Sequence, residues 1–271
     1  MVKNEFLPGM SQINYLLIIR RNYKMPNYKI LVQYVGTKYK GWQIQKSTED
    51  TIQGKLNAVI SRMVGYPVEV IGSGRTDAGV HAIGQVANFH IKSHVKDKKG
   101  FIDEINQYLP TDIAVIKMQD VDERFHSRFS AKSKTYRYRI YKDRIPDVFN
   151  RKFVYFYTDK ELDVEKMKKA AALMTGERDF KCFCGNPHMK KPTVRNVMRI
   201  DIEESDKEIT IDFTGNGFLQ NMVRIMAGTL IEVGNGTRGV GSIAPMLKSL
   251  DREKAGFTAP PQGLCLMKVE Y

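Results

Sequence analysis

The stretch VMRIDIEESDKEITIDFTG, residues 197–215, decides how this chain folds. VMRIDIEE and EITIDFTG alternate apolar and polar residues on either side of a short polar turn, Ser205, Asp206 and Lys207, as a half-buried β-hairpin does. Upstream, KTYRYRIY (134–141) alternates in the same way, with Tyr136, Tyr138 and Ile140 on one face and Arg137 and Arg139 on the other. Between these segments, ELDVEKMKKAAALM reads as a helix with Leu162, Met167, Ala170, Ala171 and Met174 on one side. A helix over 219–233 turns Met222, Val223, Met226, Leu230 and Val233 inward, and LCLMKVEY closes the chain as a strand. The order is strand, helix, two strands, helix, strand.

The first part of the chain shows the same order. YKILVQYV from Tyr28 is a strand by its β-branched and aromatic content. In TIQGKLNAVISRM the residues Ile52, Leu56, Val59, Ile60 and Met63 form one stripe of a 3.6-residue period. PVEVI (67–71) and VANFHI (86–91) are expected strands, FIDEINQYL a short helix and IAVIKM another strand. The fold class expected is therefore α+β: two ferredoxin- or RRM-like βαββαβ halves, at 25–130 and 131–271, forming a mainly antiparallel sheet flanked by helices. Residues 1–24 are expected to be an upstream extension, either disordered or the product of a misassigned start, because Met25-Pro26 directly precedes the first strand.

The chain has 271 residues, enough for a large core. Lys and Arg number 43 against 30 Asp and Glu, so the formal charge of +13 raises a polyanionic partner as the first possibility, with a solvated lysine-rich surface as the bland alternative. Three cysteines, Cys182, Cys184 and Cys265, make no disulfide framework and fit a reducing cytoplasm. The longest N-terminal apolar run, YLLII at 15–19, is too short for a signal-peptide core or a membrane helix, so neither export nor a membrane is expected.

Candidate chemistry begins in GSGRTDAGVHA, 72–82, a glycine-rich loop between two expected strands. Asp77 fits two readings. Its carboxylate could close an Asx turn, the commonest use of Asp in such loops. It could instead be a reactive group on a tight loop, kept ionised by Arg75 two residues away. RFHSRFSAKSKTYRYRIY (124–141) interleaves four arginines and two lysines with aromatics, which suits phosphate contacts and base stacking or, equally, a basic edge strand. In NGFLQNMVRIMAG (216–228), Arg224 follows two inward-facing residues and so requires an anion, whether a structural partner or a catalytic carboxylate.

Cys182, Cys184 and His188 lack a fourth ligand at a recognised spacing, so no metal is expected. His81, His90, His94 and His126 show no ligand pairing and read as structural. No phosphate-binding glycine loop is present, and no nucleotide cofactor is expected.

GRTDAGVHA, FHSRFSAKSKTYRYRI, GNGFLQNMVRIMAG and APPQGLCLMKVEY, in this order, resemble the TruA family of tRNA pseudouridine synthases, over nearly all of 25–271. The resemblance implies that Asp77 is the catalytic aspartate and that Arg75 assists extrusion of the target base. It implies that Tyr136 stacks on the uracil, its hydroxyl a candidate proton relay, that Arg224 pairs with the carboxylate, and that Leu264 lines the uracil pocket. It further implies a cofactor-free, metal-free homodimer that isomerises uridines 38, 39 and 40 in the tRNA anticodon stem-loop. Neither 1–24 nor the C-x-C at Cys182 belongs to the pattern. A non-catalytic RNA-binding module would explain the charge and the aromatics but not the G-R-T-D loop. A nuclease or a methyltransferase would need a metal or histidine site, or a cofactor loop, that the sequence lacks.

Overall fold

The computed structural model describes residues 25–186 and 188–271; the expected N-terminal extension lies outside them. The first half runs β1 (Asn27–Tyr34), α1 (Ile52–Val64), β2 (Ile71–Gly72), β3 (His81–His90), α2 (Lys98–Tyr108) and β4 (Ile113–Val121). The second comprises β5 (Ser133–Tyr141), β6 (Tyr155–Phe156), α3 (Val164–Leu173), β7 (Gly176–Asp179), β8 (Val194–Glu204), β9 (Glu208–Gly215), α4 (Met222–Gly234), α5 (Ile243–Ser249) and β10 (Leu264–Glu270). Short edge strands β6 and β7 were not legible as periodic runs. Among the described residues no helix is long and apolar enough to cross a membrane.

Local chemistry sets the element ends. The Thr51 hydroxyl accepts the Gly54 N–H at 3.2 Å to start α1, and Gly65, at φ +79°, ends it in the left-handed conformation. Ile52, Leu56 and Ile60 are buried as the stripe requires, with Val59 and Met63 packed at its margin. In the β8–β9 hairpin Glu204 pairs with Ile209, Ile202 with Ile211 and Ile200 with Phe213, and the register shifts between Val197 and Arg199. The partition of β5 also holds. Tyr136, Tyr138 and Ile140 are buried, whereas Arg137 and Arg139 reach across the other face to Asp212 and Glu208 in two-pronged ion pairs. Those two arginines are cross-strand partners and not free phosphate ligands.

One expected strand is much shorter than its sequence suggests. Val68 and Val70 of PVEVI are buried, but their N–H groups donate to Ser61 Oγ and Asn57 Oδ1 of α1, so helix side chains satisfy this backbone in place of a neighbouring strand. Only Ile71 and Gly72 pair with β3.

All ten strands join one mainly antiparallel sheet, ordered β4-β1-β3-β10-β5-β9-β8-β7, with β2 on β3 and β6 on β5. Each half repeats one arrangement: β4-β1-β3-β2 in the first and β10-β5-β9-β8 in the second. This repetition supports dividing the chain at 130/131, a division we propose. The halves meet where β10 lies parallel to the start of β3, Cys265 opposite His81 and Leu266 opposite Ala82. A side chain at Gly84 would strike the Met267 carbonyl, its Cβ 2.0 Å from that oxygen, so the close approach of β10 requires glycine there. Because β2 holds the other end of the same edge of β3, loop 73–80 leaves the sheet at the seam between the halves. Helix α4 is the centre of the second half's core. All its residues are buried except Arg224 and Glu232.

Candidate active site

Loop 73–80 is held from beneath. The Tyr34 hydroxyl meets Thr76 Oγ1 at 2.8 Å, Ser73 Oγ donates to Gln85 Oε1 at 2.7 Å, and Gln85 Nε2 donates to the Gly74 carbonyl at 3.0 Å. From the side, the Trp42 N–H donates to the Thr76 carbonyl and the Gly79 N–H to the Tyr39 carbonyl. The Val80 N–H then closes a four-residue turn on the Asp77 carbonyl at 3.2 Å, with Gly79 in its third position at φ +81°, where an L side chain is strained. A Cβ on Gly79 would also press on Pro261 at 2.9 Å.

These contacts answer the first of the two readings of Asp77. The turn is closed by its backbone carbonyl, and Gly79's N–H is given to Tyr39, so the carboxylate makes no Asx turn. It faces Arg224 instead, Oδ2 to Nη1 3.9 Å, with side-chain exposures of 29% for Asp77 and 15% for Arg224. Burial raises the Asp77 pKa above the ordinary aspartate value, and Arg224 and the Asn221 N–H offset part of that rise. Burial likewise lowers the Arg224 pKa, opposed by Asp77 and Tyr138. Each charge is therefore under-solvated and only partly compensated by the other.

Arg224 is aimed by fixed acceptors. Its Nε donates to the Ala259 carbonyl at 2.7 Å and its Nη1 to Asn221 Oδ1 at 3.0 Å. Asn221 precedes α4 in a left-handed conformation, φ 57°, and so the helix begins at Met222, not at 219 as the periodicity suggested. Asn221 and Ala259 were missed by sequence reasoning; Asn221 lay inside the expected helix, and the signal for it was an Asn near the start of that run, a residue that tolerates the left-handed conformation.

Tyr136 is buried, its ring edge-on to Phe218 with centroids 5.4 Å apart. Among the described residues its hydroxyl has no hydrogen-bond partner, and burial, chiefly, raises its pKa, so it is a neutral phenol with an unused donor. A Cβ on Gly74 would lie 3.7 Å from that oxygen, which places the hydroxyl against the Asp77 loop. Leu264 is buried at the start of β10, opposite Tyr138, whose hydroxyl donates to the Pro260 carbonyl at 2.9 Å. Segment 259–264 thus touches the loop, Arg224 and β5.

Arg75 stands apart. It is exposed and, among the described residues, pairs with no carboxylate, so the cation beside Asp77 is Arg224 and not its sequence neighbour. Cys182 and Cys184 are buried while His188 is exposed, and among the described residues no group of His, Cys, Asp or Glu is placed to hold a metal. His81 is buried, accepts the Gly36 N–H through Nδ1 at 3.1 Å, and is held toward the neutral form by burial. A cavity of about 460 Å³ bounded by Val35, Asp112, Phe149 and Phe153 includes none of the candidate residues.

A family model described as tRNA pseudouridine synthase matches residues 30–130 and 170–271. The chain is 45% identical over 249 residues to tRNA pseudouridine synthase A of Bacillus sp. (strain KSM-64), across 91% of this chain and 100% of the relative. It is 44% identical over 247 residues to tRNA pseudouridine synthase A 1 of Clostridium tetani (strain Massachusetts / E88), with the same coverage of each chain. To tRNA pseudouridine synthase A of Acetivibrio thermocellus it is 41% identical over 247 residues, again across 91% of this chain and 100% of the relative. With the four sequence motifs assembled around one seam of the sheet and these matches over most of its length, the chain belongs to the tRNA pseudouridine synthase family.

Proposed function

We propose that this protein isomerises uridine to pseudouridine at positions 38, 39 and 40 of the tRNA anticodon stem-loop, with Asp77, Arg224 and Tyr136 as the catalytic residues and Arg75 and Leu264 as substrate contacts. The observation that carries the reading is the part-exposed Asp77 carboxylate, fixed on a rigid turn and facing Arg224 at 3.9 Å. The reaction breaks the N1–C1′ bond, turns the uracil and joins C5 to C1′; the C5 proton leaves and N1 gains one. It is redox-neutral. Asp77 serves it by attacking C1′, by attacking C6 or by shielding a glycal-type path, and it acts as a nucleophile only when ionised. Arg224 supplies the compensating charge.

The base must first leave its stack, which costs a few kcal/mol. Stacking on Tyr136, at about 1 to 3 kcal/mol per base, offsets much of that. Exposed Arg75, on the same loop, is free to fill the space the base leaves, and Leu264 gives the pocket an apolar wall. From the family resemblance we also propose a homodimer acting in the cytoplasm, without metal or cofactor.

Pseudouridine mapping at single-nucleotide resolution tests this, using unmodified tRNA with wild-type protein and with Asp77→Asn and no added metal or nucleotide. Conversion at 38–40 by wild type alone is the expected result. Binding without conversion by either protein would replace the enzyme with an RNA-binding module.

A further inference from the structure

Lys134 is 8% exposed, an unusual place for a lysine. Among the described residues its ammonium has one hydrogen-bond partner, the Ser73 carbonyl at 2.5 Å, and no carboxylate, so two N–H donors are unused. A Cβ on Gly74 would lie 3.5 Å from Lys134 Nζ and 3.7 Å from the Tyr136 hydroxyl, so amine and phenol flank the same glycine of the Asp77 loop.

Two arginines lie close enough to act on the Lys134 ammonium, Arg195 also donating through Nη1 to the Pro192 and Val194 carbonyls at 3.0 and 2.6 Å. Lys134 pairs with Gly215, which pairs with Val197, and Arg195 lies two residues before Val197 on β8. The Arg195 side chain covers Gly217, next to the Phe218 ring that packs on Tyr136. Arg128 follows Ser127, whose hydroxyl is tied to the Ile71 carbonyl, two residues before Ser73. Both arginines act electrostatically on Lys134, and among the described residues neither forms an ion pair with a carboxylate. Three cations without a counter-ion, one of them buried, are a site for a ligand's negative charge.

Resting on the tRNA reading, we propose that Lys134, Arg195 and Arg128 hold a single phosphodiester of the RNA backbone beside the extruded nucleotide, fixing the ribose while its base meets Tyr136. Lys134 is then a substrate-binding residue that also ties the RNA to the Asp77 loop through Ser73. The groups facing its amine are Arg128, Arg195, the Tyr136 phenol and, across Ser73 and Ser127, the Tyr271 hydroxyl. Burial and the two arginines push Lys134 down to about 8, so the free site loses its ammonium just above neutral pH and a bound phosphate restores it.

The test is binding of unmodified anticodon stem-loop RNA carrying one neutral methylphosphonate at each linkage in turn. In wild type, one linkage next to the target uridine should weaken binding about tenfold when neutralised, as loss of a charged hydrogen bond does. With Lys134→Met or Arg195→Ala that same linkage should matter little, whereas other linkages keep their effects. Equal weakening at every linkage in the variants would reduce the cluster to bulk charge and overturn the site. Because Lys134→Met can disturb folding, Lys134→Arg provides an independent arm. From about pH 7 to about pH 9, either side of the Lys134 value near 8, wild-type affinity should fall while that of Lys134→Arg stays flat. Parallel curves would also overturn the proposal. Conversion of the all-phosphate RNA by wild type is the control: its absence removes the tRNA reading itself, and its presence without linkage coupling removes only this site.

Discussion

Asp77 Oδ2 and Arg224 Nη1 stand 3.9 Å apart, within Coulombic reach but beyond a hydrogen bond. Two of the guanidinium's five donors go to Ala259 and Asn221, and at 3.9 Å it supplies charge to the carboxylate without capping it. Among the described residues the carboxylate accepts from the Asn221 N–H and keeps its other lone pairs open.

Removing that charge should act on rate and pH together. Arg224→Ala is expected to lower kcat by about 100-fold or more, the scale on which a preorganised electrostatic group contributes. Burial already raises Asp77, so the acid limb of the pH–rate profile should lie above an ordinary aspartate's, near about 3.9. In Arg224→Ala the limb should move higher still. An unmoved limb with full activity would show that Arg224 does not act on the carboxylate.

Stability should move the other way from activity at Asp77. The folded-state pKa is raised, so ionisation of this group costs stability; the cost is present above the folded value and vanishes below the unfolded one. Asp77→Asn removes the cost. It should abolish turnover while melting at or above the wild-type temperature at neutral pH, and a clear drop in Tm would mean that the carboxylate is structural.

Tyr136 should separate binding from turnover. Its phenol stays protonated and, among the described residues, has no hydrogen-bond partner, so Tyr136→Phe removes only the hydroxyl and preserves the ring against Phe218. Unchanged RNA affinity with lost turnover would assign the hydroxyl to proton handling; unchanged turnover would leave stacking alone.

The Asp77 turn should not tolerate a side chain at Gly79. Gly79→Ala must adopt φ +81° with Cβ 2.9 Å from Pro261, which should cost about 1 kcal/mol or more and shift the loop. A lowered Tm with reduced kcat is expected, and wild-type values in both would show that the turn has room to relax.

Affinity for tRNA should fall steeply with salt if the basic surface follows the RNA backbone. Arg137→Ala should leave that slope nearly unchanged, because Arg137 is already paired with Asp212. A slope reduced by about one unit would make Arg137 a phosphate contact.

The sequence by itself determined the elements whose causes are local. The β8–β9 hairpin, the α1 stripe and the two faces of β5 follow from alternation and from a 3.6-residue period, which neighbouring residues carry. Where satisfaction of the backbone came from elsewhere, local reading failed: Val68 and Val70 look like a strand but donate to α1 side chains. The motifs marked Asp77, Tyr136 and Arg224 as candidates, and the family resemblance implied that Arg224 pairs with Asp77, but no local pattern showed the geometry of that meeting. Only the tertiary structure decided that the Arg224–Asp77 distance is 3.9 Å with Arg75 exposed and apart, that the Asp77 carboxylate is free of its own turn, and that Lys134 is buried with, among the described residues, no carboxylate to pair with. The reason is physical. These relations depend on β10 joining β3 at the seam between the halves, which brings together a loop, a helix start and a strand distant in sequence, and no local periodicity records that junction.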